Sequence, residues 1–305
     1  KHHWVAHWLQ MAGPFTYSYH VVMVQSFDAG HTWSEPVKPH TDDTPTEHGF
    51  VSVYQYDGKA AAIWLDGRKT GGEQSGGPRT SGMTLRSAVL DAGNTLLEEQ
   101  EIDGLICDCC QTDVGISAEG PVAVYRDRTE DEIRDIYVAR HTGGRWQRGA
   151  ALHDDNWQIA GCPVNGPAIA ARGADVAAAW FSAPDRAPAV QVRFSQDSAA
   201  TFGPARRLAG DGALGHVDVV MLKDGSAVVS WLQASDGGRA SLVFRRVTPE
   251  GDVGPVVRVA NGARARSVPQ MAIAGDDLVL VWTDARDDGK HIVSARVAID
   301  AIAAT

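Results

Sequence analysis

Apolar and polar residues alternate along short stretches of the chain, and six of these stretches are centred on an aromatic residue. Gly, Asp and Pro separate the stretches, and no segment has a convincing helical period. The stretches are VAHWLQ at Trp8, AAIWLD at Trp64, VAVYRD at Tyr125, AAAWFS at Trp180, VVSWLQ at Trp231 and VLVWTD at Trp282. Their aromatic residues recur 51 to 61 positions apart. A repeat of this length with several strands predicts an all-β, six-bladed β-propeller.

Each repeat is predicted to form a blade of four strands, lettered A to D from the innermost to the outermost. The whole chain is then a single domain, with approximate blades at 1–43, 44–102, 103–153, 154–210, 211–260 and 261–305. No A strand precedes Trp8, and no clear D strand follows HIVSARVAI in the last blade. Either these two blades complete one another, or residues upstream of Lys1 are missing. We favour the second, so that the first blade is incomplete in this sequence.

Composition and charge narrow the class of protein. With 44% apolar and 22% charged residues, the chain is typical of a soluble globular protein. Its net charge of −10 argues against nucleic acid as the main partner, because phosphates require a basic surface. No apolar run approaches the roughly 20 residues that cross a bilayer. We expect a monomer that is periplasmic or secreted, with its signal segment not present in this sequence.

One short motif resembles a known family. The stretch SFDAGHTW, Ser26 to Trp33, has the form Ser-x-Asp-x-Gly-x-Thr-Trp, and a degraded copy, SQDSAATF, runs from Ser195 to Phe202. It resembles the Asp-box of bacterial sialidase-like (BNR-repeat) β-propellers, and the resemblance extends over nearly the whole chain. It implies a structural motif on the face opposite the active site, whose Asp and Thr satisfy the backbone of a tight turn.

The same resemblance implies a set of catalytic residues that the sequence does not reproduce. Sialidases use an arginine triad, a Tyr–Glu nucleophile pair and an Asp acid/base, and their first arginine lies in an Arg-Ile-Pro motif. That motif does not occur in this chain, and no Tyr follows Tyr137 in the late blades, where the family has its nucleophile. We therefore do not expect a true sialidase.

Cysteine and histidine residues recur where the A strands begin, beside the predicted central channel. His48, Cys109, Cys162 and His216 precede their aromatic landmarks by 16, 16, 18 and 15 residues, and LICDCCQTDVGIS adds Cys107 and Cys110. One interpretation is a disulfide from Cys162 to Cys107 or Cys109 that joins blades 3 and 4. A second is a zinc or copper site, because thiolates and imidazoles suit these ions. A reactive cysteine is a third. The candidate metal ligands are His48, Cys107, Cys109, Cys110, Cys162 and His216.

Charged residues gather at the ends of the B strands on the same face. The candidates are Asp66, Arg68, Arg126, Asp127 and Arg128. They are either a ladder of salt bridges between blades, or a general base, Asp66 or Asp127, with arginines that stabilise an anion. The Gly-rich loop of residues 69–82 interrupts blade 2 nearby. It is either a flap over the mouth of the propeller, meaning the opening of the predicted central channel, or a passive insertion.

Three functions remain open at this point. The first is a hydrolase in which the bound metal activates water to attack an ester or phosphoester. The second is a sialidase-like glycosidase or glycan-binding propeller with structural cysteines, and the third is a non-catalytic copper- or zinc-binding propeller. An enzyme is favoured, with a small molecule or a glycan as its substrate.

Overall fold

The computed structural model describes residues 2–70, 82–235, 240–263, 268–286 and 288–303. These ranges fold into β-strands joined by turns, and they contain no α-helix. No membrane-spanning helix is therefore found among them. Residues 71–81, which make up most of the predicted flap, lie outside the described residues.

The strands form six consecutive antiparallel groups, in chain order. The first group contains β1 (Trp4–Met11) and β2 (Tyr19–Ser26). The second contains β3 (His48–Tyr56), β4 (Lys59–Asp66), β5 (Met83–Leu90) and β6 (Leu96–Ile106). The third contains β7 (Asp113–Ser117), β8 (Gly120–Arg126), β9 (Ile136–Thr142), β10 (Arg145–Trp146) and β11 (Ala150–Ala151). The fourth contains β12 (Ala168–Arg172), β13 (Asp175–Ser182), β14 (Ala189–Ser195) and β15 (Arg206–Ala209). The fifth contains β16 (Ala213–Met221), β17 (Ala227–Ala234), β18 (Ala240–Val247) and β19 (Val257–Ala263), and the sixth contains β20 (Gln270–Ala274), β21 (Asp277–Arg286) and β22 (Gly289–Ala298).

The pairing within each group follows the predicted order of strands. The second and fourth groups are four-stranded sheets whose strands pair in sequence order. In the third group the outer strand is replaced by β10 and β11, which both pair with β9. The fifth and sixth groups are joined into one sheet by a pairing of Ala263 with Asp284. The all-β class and the four-stranded sheets are thus confirmed, while the count of six blades stays a prediction.

The second to fifth groups each pack their two faces against both neighbours, and β4 illustrates this. Successive side chains on a strand point to opposite faces. Ala61, Ile63 and Leu65 accordingly pack against the third group. Ala62 and Trp64 pack against the first group. Apolar clusters of this kind lie between every two consecutive groups. The apolar runs of the sequence are therefore strands buried on both faces.

The aromatic landmarks occupy these clusters in the central groups. The side chains of Trp64, Tyr125, Trp180 and Trp231 are at most 1% exposed. Trp8 is 38% exposed, because it points to the face of the first group that no described neighbour covers, while Val21 and Met23 on the other face pack against the second group. The periodic aromatic residue thus marks the buried second strand of a group.

Polar side chains tie the first strand of one group to the first strand of the next. β3, β7, β12, β16 and β20 lie against one another in that order. The hydrogen bonds join Ser52 Oγ to the Thr112 carbonyl, Asp113 to the Ile169 N–H, Asn165 Oδ1 to the His216 N–H, and Asp218 to the Met271 N–H. These contacts hold the inner strands in register with one another.

The turns after β2 and β14 have the same hydrogen-bond network. In the first turn, the Gly30 N–H donates to Ser26 Oγ at 2.8 Å. The N–H and the hydroxyl of Thr32 donate to the two carboxylate oxygens of Asp28, at 2.8 and 2.6 Å. Ser195, Asp197, Ala199 and Thr201 repeat these contacts in the second turn. The role predicted for the Asp and Thr of this motif is seen in both turns.

Candidate functional site

The four cysteines are paired in two disulfides. Cys109 is joined to Cys162, which links the segment before β7 to the segment before β12. Cys107 is joined to Cys110. The first of these bonds is one that the sequence suggested, and the second was not foreseen. In this pairing no cysteine sulfur is a thiolate, so the predicted metal site loses its sulfur ligands.

The two predicted histidine ligands do not lie together. His48 begins β3 and packs against His20 and His40. His216 lies on β16, where its backbone N–H donates to Asn165 Oδ1 at 2.6 Å. Among the described residues, two of the three clusters whose spacing could hold a metal contain His48, the third consists of Cys107, Cys109 and Cys110, and none contains His216. The mixed Cys/His site is thus not assembled as the alignment of A strands predicted.

Asp66 and Arg68 form a buried ion pair. Arg68 donates to both carboxylate oxygens of Asp66 at 2.7 Å, and the Trp64 indole N–H donates to the same carboxylate at 2.9 Å. Burial raises the pKa of Asp66, but the hydrogen bonds from Arg68 and the charge of His48 outweigh burial and lower it. Arg68 also pairs with Glu99 at 2.7 Å. These contacts match the salt-bridge interpretation and leave Asp66, which is fully buried, poorly suited to act as a base.

Arg126 is a structural arginine between the third and fourth groups. Its guanidinium donates to the backbone carbonyls of Asn165, Arg134 and Phe181 at 2.8, 2.5 and 2.6 Å. The same guanidinium lies 4.8 Å from the centre of the Trp157 ring. Burial lowers the pKa of Arg126 to about 9. The side chain is fully enclosed, so the predicted anion-binding role does not fit its position.

Asp127 is the predicted catalytic residue whose protonation changes near neutral pH. Its burial and the charge of Asp103 raise its pKa to about 7. Its buried Oδ1 forms no hydrogen bond with the described residues. Its neighbour Arg128 pairs with Asp108 at 3.0 Å and with Glu132 at 2.8 Å. Asp127 could therefore exchange a proton, whereas Arg128 is already neutralised.

A cleft of about 170 Å³ lies where β3 and β5 begin and β4 ends. Its lining includes Tyr17, Ser18, Glu47, Met83 and Asp108. These residues come from the first three groups of strands. The cleft therefore gathers polar side chains from distant parts of the sequence at the face where the A strands begin.

Tyr19 and Glu47 form a hydrogen-bonded pair beside this cleft, which Glu47 lines and Tyr19 does not. The Tyr19 hydroxyl donates to Glu47 Oε1 at 2.8 Å, and the two residues also form a parallel backbone bridge. Burial, followed by the charge of Glu47, raises the pKa of Tyr19 above its usual value. The pair was not predicted from the sequence, because the resemblance to sialidases implies a nucleophilic tyrosine in the late blades, whereas Tyr19 lies near the start of the chain.

Three histidines cluster on the buried side of the same two strands. The ring centres of His40 and His48 are 4.4 Å apart, and that of His20 lies 5.1 and 5.3 Å from them. Burial, with the nearby charges of His48 and His20, lowers the pKa of His40 to about 3. No described residue is within hydrogen-bond distance of His20 Nδ1 or His40 Nε2, and both atoms are buried.

Only His48 of this cluster was predicted from the sequence, because it alone of the three histidines stands at the start of an A strand. His40 and Asp42 stand in the same connection as His48, in the spacing His-x-Asp-x5-His. That spacing was the available signal. His20, on β2, had no signal of this kind.

Comparison with known proteins bears on the fold. No protein-family model matches the sequence, and no curated protein matches it significantly. The BP39L lectin from Burkholderia pseudomallei has a TM-score of 0.62 at 11% identity, over 93% of this chain and 75% of the lectin. The Hadza microbial sialidase Hz136 has a TM-score of 0.57 at 14% identity, over 95% of this chain and 61% of the sialidase. A protein of unknown function from Dyadobacter fermentans has a TM-score of 0.54 at 14% identity, over 94% of this chain and 86% of that one.

At these identities the likeness concerns the fold alone. The sialidase and the lectin agree with the stacked antiparallel sheets described above. The expected export and monomeric state stay predictions. The chain therefore has a sialidase-like β-propeller fold.

Proposed function

We propose that this protein acts on carbohydrate, and that it hydrolyses a glycosidic bond in the cleft beside Tyr19 and Glu47. The observation that carries the proposal is the 2.8 Å hydrogen bond between the Tyr19 hydroxyl and the Glu47 carboxylate. Some glycosidases, the sialidases among them, use a tyrosine as the nucleophile. The fold shared with a microbial sialidase and a lectin is consistent with a glycan ligand.

The proposed chemistry assigns one step to each side chain. Glu47 accepts the phenolic proton of Tyr19 while the Tyr19 oxygen bonds to the anomeric carbon and the glycosidic carbon–oxygen bond breaks. Asp108, which lines the same cleft, is the acid that protonates the leaving oxygen, and for this step it must release Arg128, with which it pairs at 3.0 Å, and gain a proton. Asp108 then takes a proton from water, whose oxygen bonds to the anomeric carbon as the bond from that carbon to Tyr19 breaks, and Glu47 returns the phenolic proton to the Tyr19 oxygen.

The arginines around the cleft favour an uncharged sugar as the substrate. A sialic acid carboxylate requires arginines that are free to bind it. Arg68 already pairs with Asp66 and Glu99, and both Arg128 and Arg134 pair with Glu132. We therefore infer a neutral glycoside rather than a sialoside. This inference concerns the described arginines, and Arg79 lies outside the described residues.

Metal-dependent ester hydrolysis, the first hypothesis from the sequence, has less support. The similar structures described above are a sialidase and a lectin, and the sulfur ligands that this hypothesis needs are paired in disulfides. The glycosidase proposal requires neither the cysteines nor a metal.

The test is hydrolysis of a panel of 4-methylumbelliferyl glycosides that contains neutral hexosides, pentosides and an α-sialoside. We expect turnover of at least one neutral glycoside. Tyr19→Phe should lower kcat/KM at least about 100-fold, in the range typical of losing an acid–base or nucleophilic group. Tyr17→Phe is the matched control, because it removes another hydroxyl from the same cleft, and it should change kcat/KM less than about threefold.

Each outcome of this test is informative. Turnover of the sialoside alone would contradict the assignment of a neutral substrate. Glycan binding without turnover would reduce the proposal to a glycan-binding propeller, and a glycan array with Glu47→Gln would then locate the binding site. If the protein neither hydrolyses nor binds any glycan, the proposal is overturned.

A further inference from the structure

We propose that His20, His40 and His48 bind a zinc or copper(II) ion, with the carboxylate of Asp42 as a fourth ligand. The site lies where the first and second groups of strands meet. This inference does not rest on the proposed glycosidase activity, because it concerns the buried side of β2 and β3.

The spacing of the ligand atoms is close to that of a metal site. One ring nitrogen from each of the three histidines lies within 4.8 Å of the other two. Ligands of a tetrahedral zinc ion lie 2.0–2.1 Å from the metal, and hence about 3.4 Å from one another. Each ring needs to move by only about 1 Å to reach a common ion.

The hydrogen bonds of His40 determine which of its nitrogens is free. Its Nδ1 is 2.9 Å from the backbone carbonyl of Asp42, and a carbonyl only accepts, so Nδ1 carries the proton. Nε2 of the neutral ring therefore carries a lone pair. His40 is only 3% exposed, and its Nε2 forms no hydrogen bond with any described group. Buried polar atoms normally have a partner, so this lone pair calls for a cation or a donor.

His48 is constrained in the same way. Its Nδ1 is 3.0 Å from the backbone carbonyl of Tyr19, which assigns the proton to Nδ1. Its Nε2 is then 2.9 Å from the Asp42 carboxylate and 3.6 Å from that of Asp66. A lone pair and two carboxylate oxygens repel one another. Either a second proton or a metal ion between them relieves the repulsion.

Both rings thus show the outer hydrogen bonds that metal-binding histidines usually make. Such ligands donate their other N–H to a carbonyl or carboxylate, which fixes the orientation of the ring. A set of three imidazoles and one carboxylate suits zinc and copper better than calcium or magnesium. Asp66 is neutralised by Arg68, so Asp42 supplies the negative charge at the site.

The position of the cluster gives the ion a structural role. His20 directly follows Tyr19, and His48 directly follows Glu47. Because neighbouring side chains on a strand point to opposite faces, the two histidines point away from the Tyr19–Glu47 pair. An ion held by the two histidines would join β2 to β3 directly behind the Tyr19–Glu47 pair. Metal binding is then expected to stabilise the attachment of the first group of strands to the second.

The test uses the purified chain after treatment with a chelator, titrated separately with Zn²⁺ and Cu²⁺. Calorimetry gives the number of ions bound, and thermal unfolding gives the change in Tm. Co²⁺ provides a spectroscopic probe, because tetrahedral coordination produces intense visible absorption. We expect one ion per chain, a higher Tm, and affinities at least tenfold weaker in His40→Gln and in His20→Gln.

The control variant is His3→Gln, which removes another imidazole near the same end of the chain. His3 bonds to Gln25 and lies outside the cluster, so this variant should bind metal as the unaltered protein does. His20 is only partly buried, so His20→Gln keeps the test valid if His40→Gln fails to fold. Failure to bind either ion would overturn the proposal. Binding that neither cluster variant weakens would overturn it as well.

Discussion

The carboxyl group of Asp218 should make the protein less stable as the pH rises from 5 to 8. Asp218 lies on β16, and its two oxygens accept the backbone N–H groups of Val219 and, from β20, of Met271. Burial, followed by the charge of Asp113, raises its pKa to about 7. The two backbone hydrogen bonds act in the opposite direction and are outweighed.

The size of the effect follows from the difference between the folded and unfolded chains. An aspartate in the unfolded chain loses its proton near pH 3.8, whereas Asp218 in the folded protein keeps it to about pH 7. Between these values the folded state binds more protons, so its stability falls as the pH rises, and above pH 7 the effect levels off. At about 1.4 kcal/mol for each pH unit, the loss between pH 5 and pH 8 is about 3 kcal/mol.

Asp218→Asn removes this titration. Asparagine keeps one acceptor oxygen, so one of the two backbone N–H groups loses its partner at every pH. The variant should therefore be less stable than the unaltered protein at pH 5. The difference in unfolding free energy between the variant and the unaltered protein should be smaller by about 3 kcal/mol at pH 8 than at pH 5, or should change sign.

The assay is urea unfolding at pH 5 and pH 8, followed by tryptophan fluorescence. Asp211→Asn, at an exposed aspartate, is the matched control and should follow the unaltered protein at both pH values. If Asp218→Asn shows the same difference in unfolding free energy between pH 5 and pH 8 as the unaltered protein, the reasoning is refuted.

Two further predictions concern the links between the third and fourth groups of strands. Arg126→Met leaves three buried carbonyls without their donor and should lower the free energy of unfolding by about 3 kcal/mol, as urea unfolding would show. Replacing both Cys109 and Cys162 by alanine should cost about 4 kcal/mol, because their bond closes a loop with a sequence separation of 53. The same change at Cys107 and Cys110, with a separation of 3, should lower the free energy of unfolding by only about 2 kcal/mol. Equal decreases for the two pairs would contradict the dependence of disulfide stabilisation on loop length.

Some features of the site were visible in the sequence and others were not. The disulfide between Cys109 and Cys162 was among the alternatives, because the two residues precede inner strands of neighbouring repeats. The pair formed by Tyr19 and Glu47 was not foreseen, since a resemblance to sialidases directed attention to the late blades. Asp66 was predicted as a candidate, but the spacing of residues along the chain does not indicate that its side chain is buried and paired with an arginine.

The sequence by itself determined what depends on residues that are near one another along the chain. Alternation produces strands, a repeated aromatic residue marks the buried second strand, and Asp28 and Thr32 close a turn over four positions. Tertiary structure alone decided which side chains meet at the mouth. Tyr19 reaches Glu47, and His20 reaches His40 and His48, through the packing of different strand groups, which no local pattern encodes.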